Sequence, residues 1–245
     1  MIRFIIIVII LFLYLILGIP VLGIEWLIGK FNKRVEDYQC LRMVQKAFRL
    51  MLKIAGTKIT VIGEEDIPDE AVLFIGNHRS YFDILLTYSR CKRLTGYIAK
   101  KEMLSYPLLR TWMKRLYCLF LDRENPKEGL KTILQAIDYV KRGISICIFP
   151  EGTRTPGDDM LEFKEGSFKI AEKSGCLIIP VAITNTENVF ENHIPFIKAS
   201  TVIIEFGDPI DLNAMPKEER RHIGSQVQGI IGGMLKENSL ANVKS

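Results

Sequence analysis

The stretch that decides the fold reads AVLFIGNHRSYFD and covers residues 71–83. Its first five residues are all apolar, which is typical in length and composition of a strand buried inside a sheet. The strand is expected to end near Gly76-Asn77-His78, and a polar segment then continues to Asp83. Polar side chains at the end of a buried strand indicate an open α/β sheet, in which ligands and catalytic groups collect at the carboxyl ends of the strands.

The chain after Gly56 also has the pattern of an α/β fold, because short apolar runs alternate with helical stretches. The clearest helix has Asn125 as its N-cap, Pro126 in its first position and Gly143 at its end. Its apolar stripe is predicted to consist of Leu130, Ile133, Leu134, Ile137 and Val140. We predict further strands over residues 58–62 (an edge strand), 96–99, 118–121, 144–149, 177–183 and 201–206, and helices over residues 104–114, 167–174 and 216–235. The expected fold class is α/β, a single domain with a mixed, mostly parallel central sheet flanked by helices.

An apolar segment without a charged residue precedes this domain and covers residues 4–24. It is long enough for the roughly 30 Å hydrocarbon core of a bilayer, so we predict a membrane helix that spans the bilayer or dips into it. Pro20, between Gly18 and Gly23, is expected to kink or end this helix. A cleavable signal peptide, whose apolar core is usually about 7–15 residues long, and a buried core helix are the alternatives.

The formal net charge of +5 is concentrated directly behind that segment. Helical spacing places four cations of residues 30–53 on one face: Arg42, Lys46, Arg49 and Lys53. This pattern predicts a basic amphipathic helix on an anionic membrane surface, and a solvated surface helix of the domain is the alternative. Residues 1–55 are therefore expected to form a membrane-associated helical hairpin, followed by a catalytic domain over residues 56–245. Because Lys and Arg are more frequent after the apolar segment than before it, that domain is expected on the cytoplasmic face of the cell membrane.

Composition and spacing argue against several other classes of protein. The five cysteines are scattered and contain no Cys-x-x-Cys pair, which indicates reduced thiols rather than a disulfide framework or a zinc site. His193 and His222 have no carboxylate or cysteine at ligand spacing, so no metal site is expected. No nucleic-acid motif accompanies the basic stretch, so no nucleic-acid partner is expected. The sequence also lacks the Gly-x-Ser-x-Gly motif of serine hydrolases and the Gly-rich P-loop.

His78 and Asp83 are the candidate catalytic pair. A histidine with a carboxylate partner can act as a general base, because the acid orients the imidazole and stabilises its charged form. The two side chains can meet if His78 precedes a helix and Asp83 lies in its first turn, a geometry that Ser80 as N-cap would produce. The same residues also fit a plain capping box, Ser80-x-x-Asp83, beside a structural histidine. These seven residues alone do not decide between the two interpretations.

A second polar segment, FPEGTR at residues 149–154, follows another predicted strand. Gly152 permits close backbone approach, Thr153 offers a hydroxyl, and Arg154 offers a bidentate fork suited to phosphate. Glu151 is expected to orient Arg154 or to bind an acceptor hydroxyl. Further cations lie at the ends of predicted elements and would together form an anion-binding rim: Lys100, Lys101, Arg123 and Lys164. Taken singly, Gly-Thr-Arg is a common turn, and each of these cations is a common kind of surface residue.

The order of these motifs resembles that of the glycerolipid acyltransferase family, in particular the bacterial 1-acylglycerol-3-phosphate acyltransferases. The family's Asn-His-x(4)-Asp block is similar to residues 77–83, and its Arg-containing block resembles residues 121–123. Its Phe-Pro-Glu-Gly-Thr-Arg block is matched letter for letter by residues 149–154, and its last apolar block, around a proline, resembles residues 178–182. A Phe-Lys-x-Gly pattern at residues 163–166 also fits, and the resemblance extends over residues 54–206.

The resemblance implies an enzyme of phospholipid biosynthesis. It would transfer a fatty acyl group from acyl-CoA or acyl carrier protein to the sn-2 hydroxyl of lysophosphatidic acid, forming phosphatidic acid, with no cofactor besides the thioester co-substrate. His78 would deprotonate the hydroxyl, Asp83 would orient His78, and Glu151 and Gly152 would position the glycerol part. The acceptor's phosphate would be held by a set of cations: Arg123, Arg154, Lys100, Lys101 and Lys164. Glycerol 3-phosphate or another lysophospholipid as acceptor, and a non-catalytic membrane lipid-binding protein, are the alternatives.

Overall fold

A computed structural model describes residues 1–155 and 159–243 of the chain, the last three without their side chains. Residues 156–158 and 244–245 of the predicted catalytic domain lie outside the described residues. The described helices are α1 (Ile2–Phe31), α2 (Lys33–Ala55), α3 (Phe82–Arg90), α4 (Pro107–Arg115), α5 (Pro126–Lys141), α6 (Lys169–Ser174), α7 (Lys217–Arg220) and α8 (Ile223–Val243). The described strands are β1 (Lys58–Ile62), β2 (Leu73–Gly76), β3 (Thr95–Lys100), β4 (Leu119–Leu121), β5 (Ser145–Ile148), β6 (Ile178–Thr184) and β7 (Thr201–Phe206).

Every predicted strand is present, but three predicted helices have different bounds. The helix predicted over residues 104–114 begins at Pro107, because a short 3₁₀ turn occupies Lys101–Ser105. A second 3₁₀ turn, Glu165–Phe168, likewise delays the start of α6. The closing helix predicted over residues 216–235 is divided into α7 and α8. Boundaries of this kind depend on local turn geometry, which hydrophobic periodicity does not report.

The strands form one seven-stranded sheet in the order β1-β7-β6-β2-β5-β3-β4. Neighbouring strands are parallel throughout, except that β6 and β7 are antiparallel. Strands β2 to β6 therefore run in one direction, and β1 and β7 run in the other. The predicted α/β fold with a mixed, mostly parallel sheet is confirmed, as is the position of β1 at the edge. The sheet margin at which β2, β3, β4, β5 and β6 end is called the carboxyl edge below, and the opposite margin the amino edge.

Apolar side chains cover both faces of the sheet, as two separate clusters show. On β2, Phe74 packs toward the cluster formed with α2 and α3, whereas Leu73 and Ile75 face the cluster formed with α5, α6 and α8. This alternation follows from the two-residue period of a strand. A sheet covered on both faces requires continuous apolar strands, and for this reason residues 71–75 and 177–183 are recognisable in the sequence.

Helix α5 begins as predicted but presents a different face to the core. The Asn125 side chain accepts hydrogen bonds from the backbone N–H groups of Lys127 and Glu128, at 3.1 and 3.3 Å, which confirms the N-cap. The predicted stripe is wrong at Leu130 and Leu134, whose exposed fractions are 59 % and 56 %. Ile137 and Val140 are buried as predicted, and the packed face is completed by Thr132, Ala136 and the half-buried Gly129. A Cβ at Gly129 would lie 3.2 Å from the Asp122 carbonyl oxygen, so close approach of the backbone sets the rotation of the helix.

Helices α1 and α2 form the predicted hairpin, joined at Asn32. An 18-residue window of α1 has a mean hydropathy of 3.2, and by length and composition the helix could cross a membrane. Pro20 does not end the helix, which was one of the two expected effects, because α1 continues to Phe31. One side of α1 packs on the domain on either side of Pro20: Tyr14 lies against Trp112, with ring centroids 5.1 Å apart, and Leu22 is buried. This packing holds the helix in place although proline removes one of its backbone hydrogen bonds. The opposite side of α1 is an exposed apolar surface.

The apolar face of α2 is used inside the protein. Leu41, Val44 and Leu52 are buried in the cluster shared with α3, while the four predicted cations of this helix are exposed. The prediction that this helix lies with its apolar face on a membrane is therefore wrong, and the alternative of a surface helix of the domain describes it. The sequence pattern of an amphipathic helix is the same whether the partner is lipid or protein.

Candidate active site

His78 and Asp83 are in contact at the carboxyl edge of the sheet. His78 follows the end of β2 by two residues, and Asp83 lies in the first turn of α3. The His78 Nδ1 and Asp83 Oδ2 atoms are 2.8 Å apart. Asp83 is fully buried, whereas the His78 side chain is 18 % exposed. The structure therefore presents an imidazole to solvent and keeps its carboxylate partner inside the protein.

The chain reverses between β2 and α3 because Asp83 binds the backbone that precedes it. Its Oδ2 atom accepts hydrogen bonds from the N–H groups of Arg79 and Ser80, each at 2.8 Å. The Ser80 hydroxyl accepts from the Phe82 N–H at 2.9 Å, rather than from the Asp83 N–H that a capping box would use. The capping interpretation and the catalytic interpretation thus describe one arrangement, in which the carboxylate that closes the turn also holds the histidine.

A residue that the sequence did not reveal completes the environment of Asp83. Thr186, buried in a 3₁₀ turn after β6, donates its hydroxyl hydrogen bond to Asp83 Oδ1. Both oxygens of the carboxylate are therefore engaged, and its plane is fixed relative to the imidazole. With Nδ1 donating to Asp83, Nε2 is the nitrogen left to accept a proton. The ring is further held by Phe149, stacked on it with centroids 4.4 Å apart and planes 15° apart.

Glu151 connects the two predicted motifs, but not in the expected way. The carboxylate is buried, and its Oε1 accepts the backbone N–H of His78 at 2.7 Å. Its Oε2 accepts the Thr155 hydroxyl and, at 3.0 Å, the backbone N–H of Leu161. Both oxygens are used within the protein, so the expected contact with Arg154 is not formed. Glu151 instead connects the loop after β5 to the loop that carries His78.

Two predicted cations meet over Gly152, which has a left-handed backbone conformation with φ of 77°. A Cβ at this position would lie 3.1 Å from Lys164 Nζ and 3.5 Å from Arg123 Cζ, so both side chains contact this glycine, and the positive φ itself favours glycine. Desolvation lowers the pKa of the Arg123 guanidinium, and the nearby Glu102 opposes this effect. Arginine remains charged because its ordinary pKa is far above neutral. The pair therefore forms a concentrated positive charge beside the loop that Glu151 connects to His78.

The remaining predicted cations have different surroundings. Lys101 Nζ lies 3.1 Å from both carboxylate oxygens of Asp122, and this hydrogen bonding raises the pKa of Lys101. Lys101 is thus already neutralised, whereas Lys100 is exposed at the end of β3. Arg154 lies over the Tyr81 ring at 3.5 Å and pairs with Glu191 at 3.3 Å. Thr153 is exposed.

Other residues near the site were not predicted from the sequence, because their contact partners are distant along the chain. Thr186 is 103 residues from Asp83, and Glu191, which also accepts the Tyr81 N–H at 2.8 Å, is 110 residues from Tyr81. Nearby, Arg79 pairs with Glu187 at 3.5 Å, and burial raises the pKa of the Glu187 carboxyl. The only available signal was position, since residues 185–191 follow a predicted strand that ends at the carboxyl edge.

Comparisons with known proteins give a consistent picture. The family model described as Acyltransferase matches residues 58–184. A 1-acyl-sn-glycerol-3-phosphate acyltransferase of Borreliella burgdorferi is 32 % identical over 187 residues, which cover 76 % of this chain and 75 % of that protein. The enzyme of the same name from Escherichia coli is 30 % identical over 166 residues, 67 % of each chain.

A solved structure is similar over almost its whole length. The crystal structure of the 1-acyl-sn-glycerophosphate (LPA) acyltransferase PlsC from Thermotoga maritima superimposes with a TM-score of 0.82. The superposition covers 96 % of this chain and 95 % of that one, at 23 % sequence identity. The shared architecture therefore includes the N-terminal helices as well as the sheet.

Proposed function

The chain belongs to the acyltransferase family, and we propose that it transfers a fatty acyl group to the sn-2 hydroxyl of lysophosphatidic acid, forming phosphatidic acid in phospholipid biosynthesis. Relatives that carry the name 1-acyl-sn-glycerol-3-phosphate acyltransferase support this choice of acceptor. The observation that carries the proposal is the buried Asp83 carboxylate holding His78 beside a loop with two converging cations.

The proposed reaction uses His78 as a general base. Its Nε2 atom takes the proton of the acceptor hydroxyl while the hydroxyl oxygen attacks the thioester carbonyl carbon. The tetrahedral intermediate collapses with cleavage of the carbon–sulfur bond, and the imidazolium returns the proton to the leaving thiolate. Asp83 fixes the tautomer of His78 and stabilises the imidazolium formed on the way. Since a thioester is already activated, the step needs no covalent acyl-enzyme.

The phosphate of the acceptor is proposed to bind the cations around Gly152. Arg123 and Lys164 already lie side by side there, and Lys100 at the end of β3 and Arg154 on the His78 side extend the positive surface. Phosphate binding by several cations gives affinity and, through the bidentate arginine fork, orientation. Lys101 has a smaller part in this proposal, because binding an anion would require it to leave Asp122.

The acyl donor is proposed to be acyl-CoA or an acyl carrier protein thioester that arrives from the cytoplasm. The exposed apolar side of α1 is proposed to lie in the cell membrane, with the catalytic domain on the cytoplasmic face. A lysolipid acceptor is itself a membrane component, so an enzyme with such a helix beside its domain is suited to it. The thioester is the only co-substrate in this scheme.

An assay with two donors and two acceptors tests the proposal. Purified protein would receive acyl-CoA or acyl carrier protein thioester, together with lysophosphatidic acid or glycerol 3-phosphate. We expect transfer to lysophosphatidic acid, a loss of about 10³-fold in kcat for His78→Ala and Asp83→Asn, and a rise in KM of about tenfold for Arg154→Ala.

His222→Ala is the matched control, because this histidine precedes α8 and forms no part of the site; it should retain full activity. Transfer by His78→Ala at the unmodified rate would refute the mechanism. If glycerol 3-phosphate were the better substrate, it would take the place of lysophosphatidic acid as the proposed acceptor. If neither acceptor were acylated with either donor, the protein would instead be interpreted as a non-catalytic lipid-binding protein.

A further inference from the structure

A cationic pocket with a volume of about 530 Å³ lies where the helical hairpin meets α4. It is called the hairpin pocket here. Its charged lining consists of five cations, Lys30, Lys33, Arg110, Lys114 and Arg115, with Glu36 as the acidic member. Trp26 contributes an aromatic wall, and Lys30 Nζ lies 3.8 Å from the centre of its ring.

Only part of this positive charge is neutralised by the protein. Lys33 pairs with Glu36 at 2.9 Å and with Asp37 at 2.7 Å, and Arg115 also pairs with Glu36. Within the described part of the chain, Lys30 and Lys114 are paired with no carboxylate, and both are exposed. Five cations against three carboxylates, Glu36, Asp37 and the buried Glu25 that interacts with Arg115, leave an excess of two positive charges. A concave site with unbalanced cations and an aromatic wall is suited to a phosphate group.

The hairpin pocket is at the other end of the domain from His78. Helix α4 begins after β3 has ended at the carboxyl edge, and it ends just before β4 starts. Because β3 and β4 are parallel, the last turn of α4, with Lys114 and Arg115, must lie at the amino edge. The Arg115 guanidinium also donates to the Leu22 carbonyl at 3.5 Å, which places the hairpin turn at the same end. The hairpin pocket is therefore separate from the site around His78.

The hairpin pocket also borders an exposed apolar surface. Trp26, Leu27 and Phe31 lie in the last turns of α1, and Phe31 is 92 % exposed. Aromatic side chains with a polar or cationic neighbour are favoured at the boundary between headgroups and acyl chains, and lysine stems cover apolar surface while the ammonium group stays in the polar layer. The end of α1 therefore has exposed aromatic side chains and a lysine directly beside the hairpin pocket.

We infer that the hairpin pocket binds the phosphate of an anionic membrane phospholipid, whose acyl chains lie along the exposed side of α1. Lys30 and Lys114 contact the phosphate directly, and Arg110 extends the positive rim. Lys33 and Arg115 hold Glu36 back from the opening. The bound lipid is neither the acceptor nor the product of the reaction, and it fixes the depth at which the hairpin enters the membrane.

Native mass spectrometry of the protein in a neutral detergent tests this inference, because a micelle has no charged surface of its own. Palmitoyl-oleoyl phosphatidylglycerol would be added in small molar excess, with phosphatidylcholine in a parallel sample. We expect one phosphatidylglycerol retained per chain and little phosphatidylcholine. The double variant Lys30→Gln/Lys114→Gln should retain about thirtyfold less, given the usual contribution of each lysine next to an anionic lipid.

The control variant Lys46→Gln/Lys53→Gln removes the same charge from exposed positions of the same hairpin, and it should retain the lipid. Arg154→Ala should retain it too, which separates the hairpin pocket from the proposed acceptor site. Thermal unfolding of the variants should match that of the unmodified protein. Equal losses in the two double variants would show general electrostatic attraction and overturn the inference. Displacement by millimolar inorganic phosphate would also overturn it, since the ligand would then be the free ion.

Discussion

At the scale of single residues, the site depends on how fully Asp83 is held. Its carboxylate contacts one side chain on its own loop, two backbone N–H groups before the helix and one hydroxyl from beyond β6. The first three partners lie within five residues along the chain, so they follow from the local pattern. Thr186 does not, because its approach requires β2 and β6 to be neighbours in the sheet.

Thr186→Val tests the positioning role of this hydroxyl. Valine preserves the shape of threonine but removes a hydrogen bond to a buried charged group, which is worth about 1.5–3 kcal/mol. We expect kcat to fall about tenfold or more with KM for the acceptor nearly unchanged, and Thr186→Ser to restore most of kcat. Steady-state kinetics on the three proteins provides the measurement. If kcat fell in both variants, and only in proportion to a lower melting temperature, Thr186 would contribute to folding alone.

At the scale of elements, α5 shows that a stripe of large apolar residues is not always the face that packs. The helix lies against β4 through Gly129, Thr132 and Ala136, because small side chains allow the backbones to approach. Leu130 and Leu134 consequently face solvent. In helix α2, by contrast, the apolar face was predicted correctly. The error concerned what this face contacts, which is the domain and not a membrane.

Two substitutions in α5 separate the predicted face from the observed one. Ala136→Leu should lower the free energy of unfolding by about 1–3 kcal/mol, because it adds atoms to a filled contact. Leu134→Gln should change it by less than about 0.5 kcal/mol, as is usual for an exposed position. Denaturant unfolding followed by circular dichroism gives both values. If Leu134→Gln proved the more damaging change, the assignment of the buried face would be wrong.

Local signals account for the elements that could be predicted from the sequence. The central strands β2, β5 and β6 are recognisable because they are buried on both faces of the sheet. The start of α5 is recognisable because Asn125 and Pro126 act within one turn. The rotation of α5, the partner of α2 and the place of Glu151 depend instead on contacts across the fold. For Glu151, the segment FPEGTR indicated a functional loop but not that its carboxylate points inward.

At the scale of the whole molecule, α1 is both a part of the domain and an exposed apolar surface. Phe4 stacks on Phe190 near one end of the helix, with centroids 5.5 Å apart, and Arg3 donates to the Ala55 carbonyl at 3.2 Å. Near the middle, a Cβ at Gly18 would lie 3.0 Å from the Trp112 ring. The helix therefore covers side chains that would otherwise meet water.

Removal of residues 1–31 should for this reason give an aggregated protein rather than a soluble enzyme, since it uncovers Trp112 and its neighbours. The double variant Phe12→Gln/Leu17→Gln is the control, because both residues are on the exposed side of α1. It should keep the melting temperature and lose binding to lipid vesicles. Size-exclusion chromatography and vesicle flotation measure the two effects. A monomeric, fully active truncated protein would show that α1 is only an anchor.

The carboxylate of Glu151 couples the loop around Gly152, where the acceptor phosphate is proposed to bind, to the backbone of His78, the proposed base. A ligand that displaces the loop around Gly152 would also displace the backbone of His78, which donates to Glu151 Oε1 at 2.7 Å and accepts from the Thr155 N–H at 2.9 Å. Binding of the acceptor's charged end would then affect the position of His78, although the hydroxyl that reacts is several bonds away from that end. Discrimination against uncharged lysolipids would accordingly be visible in the rate of turnover as well as in affinity, because binding energy from a remote group is used to align the reacting one.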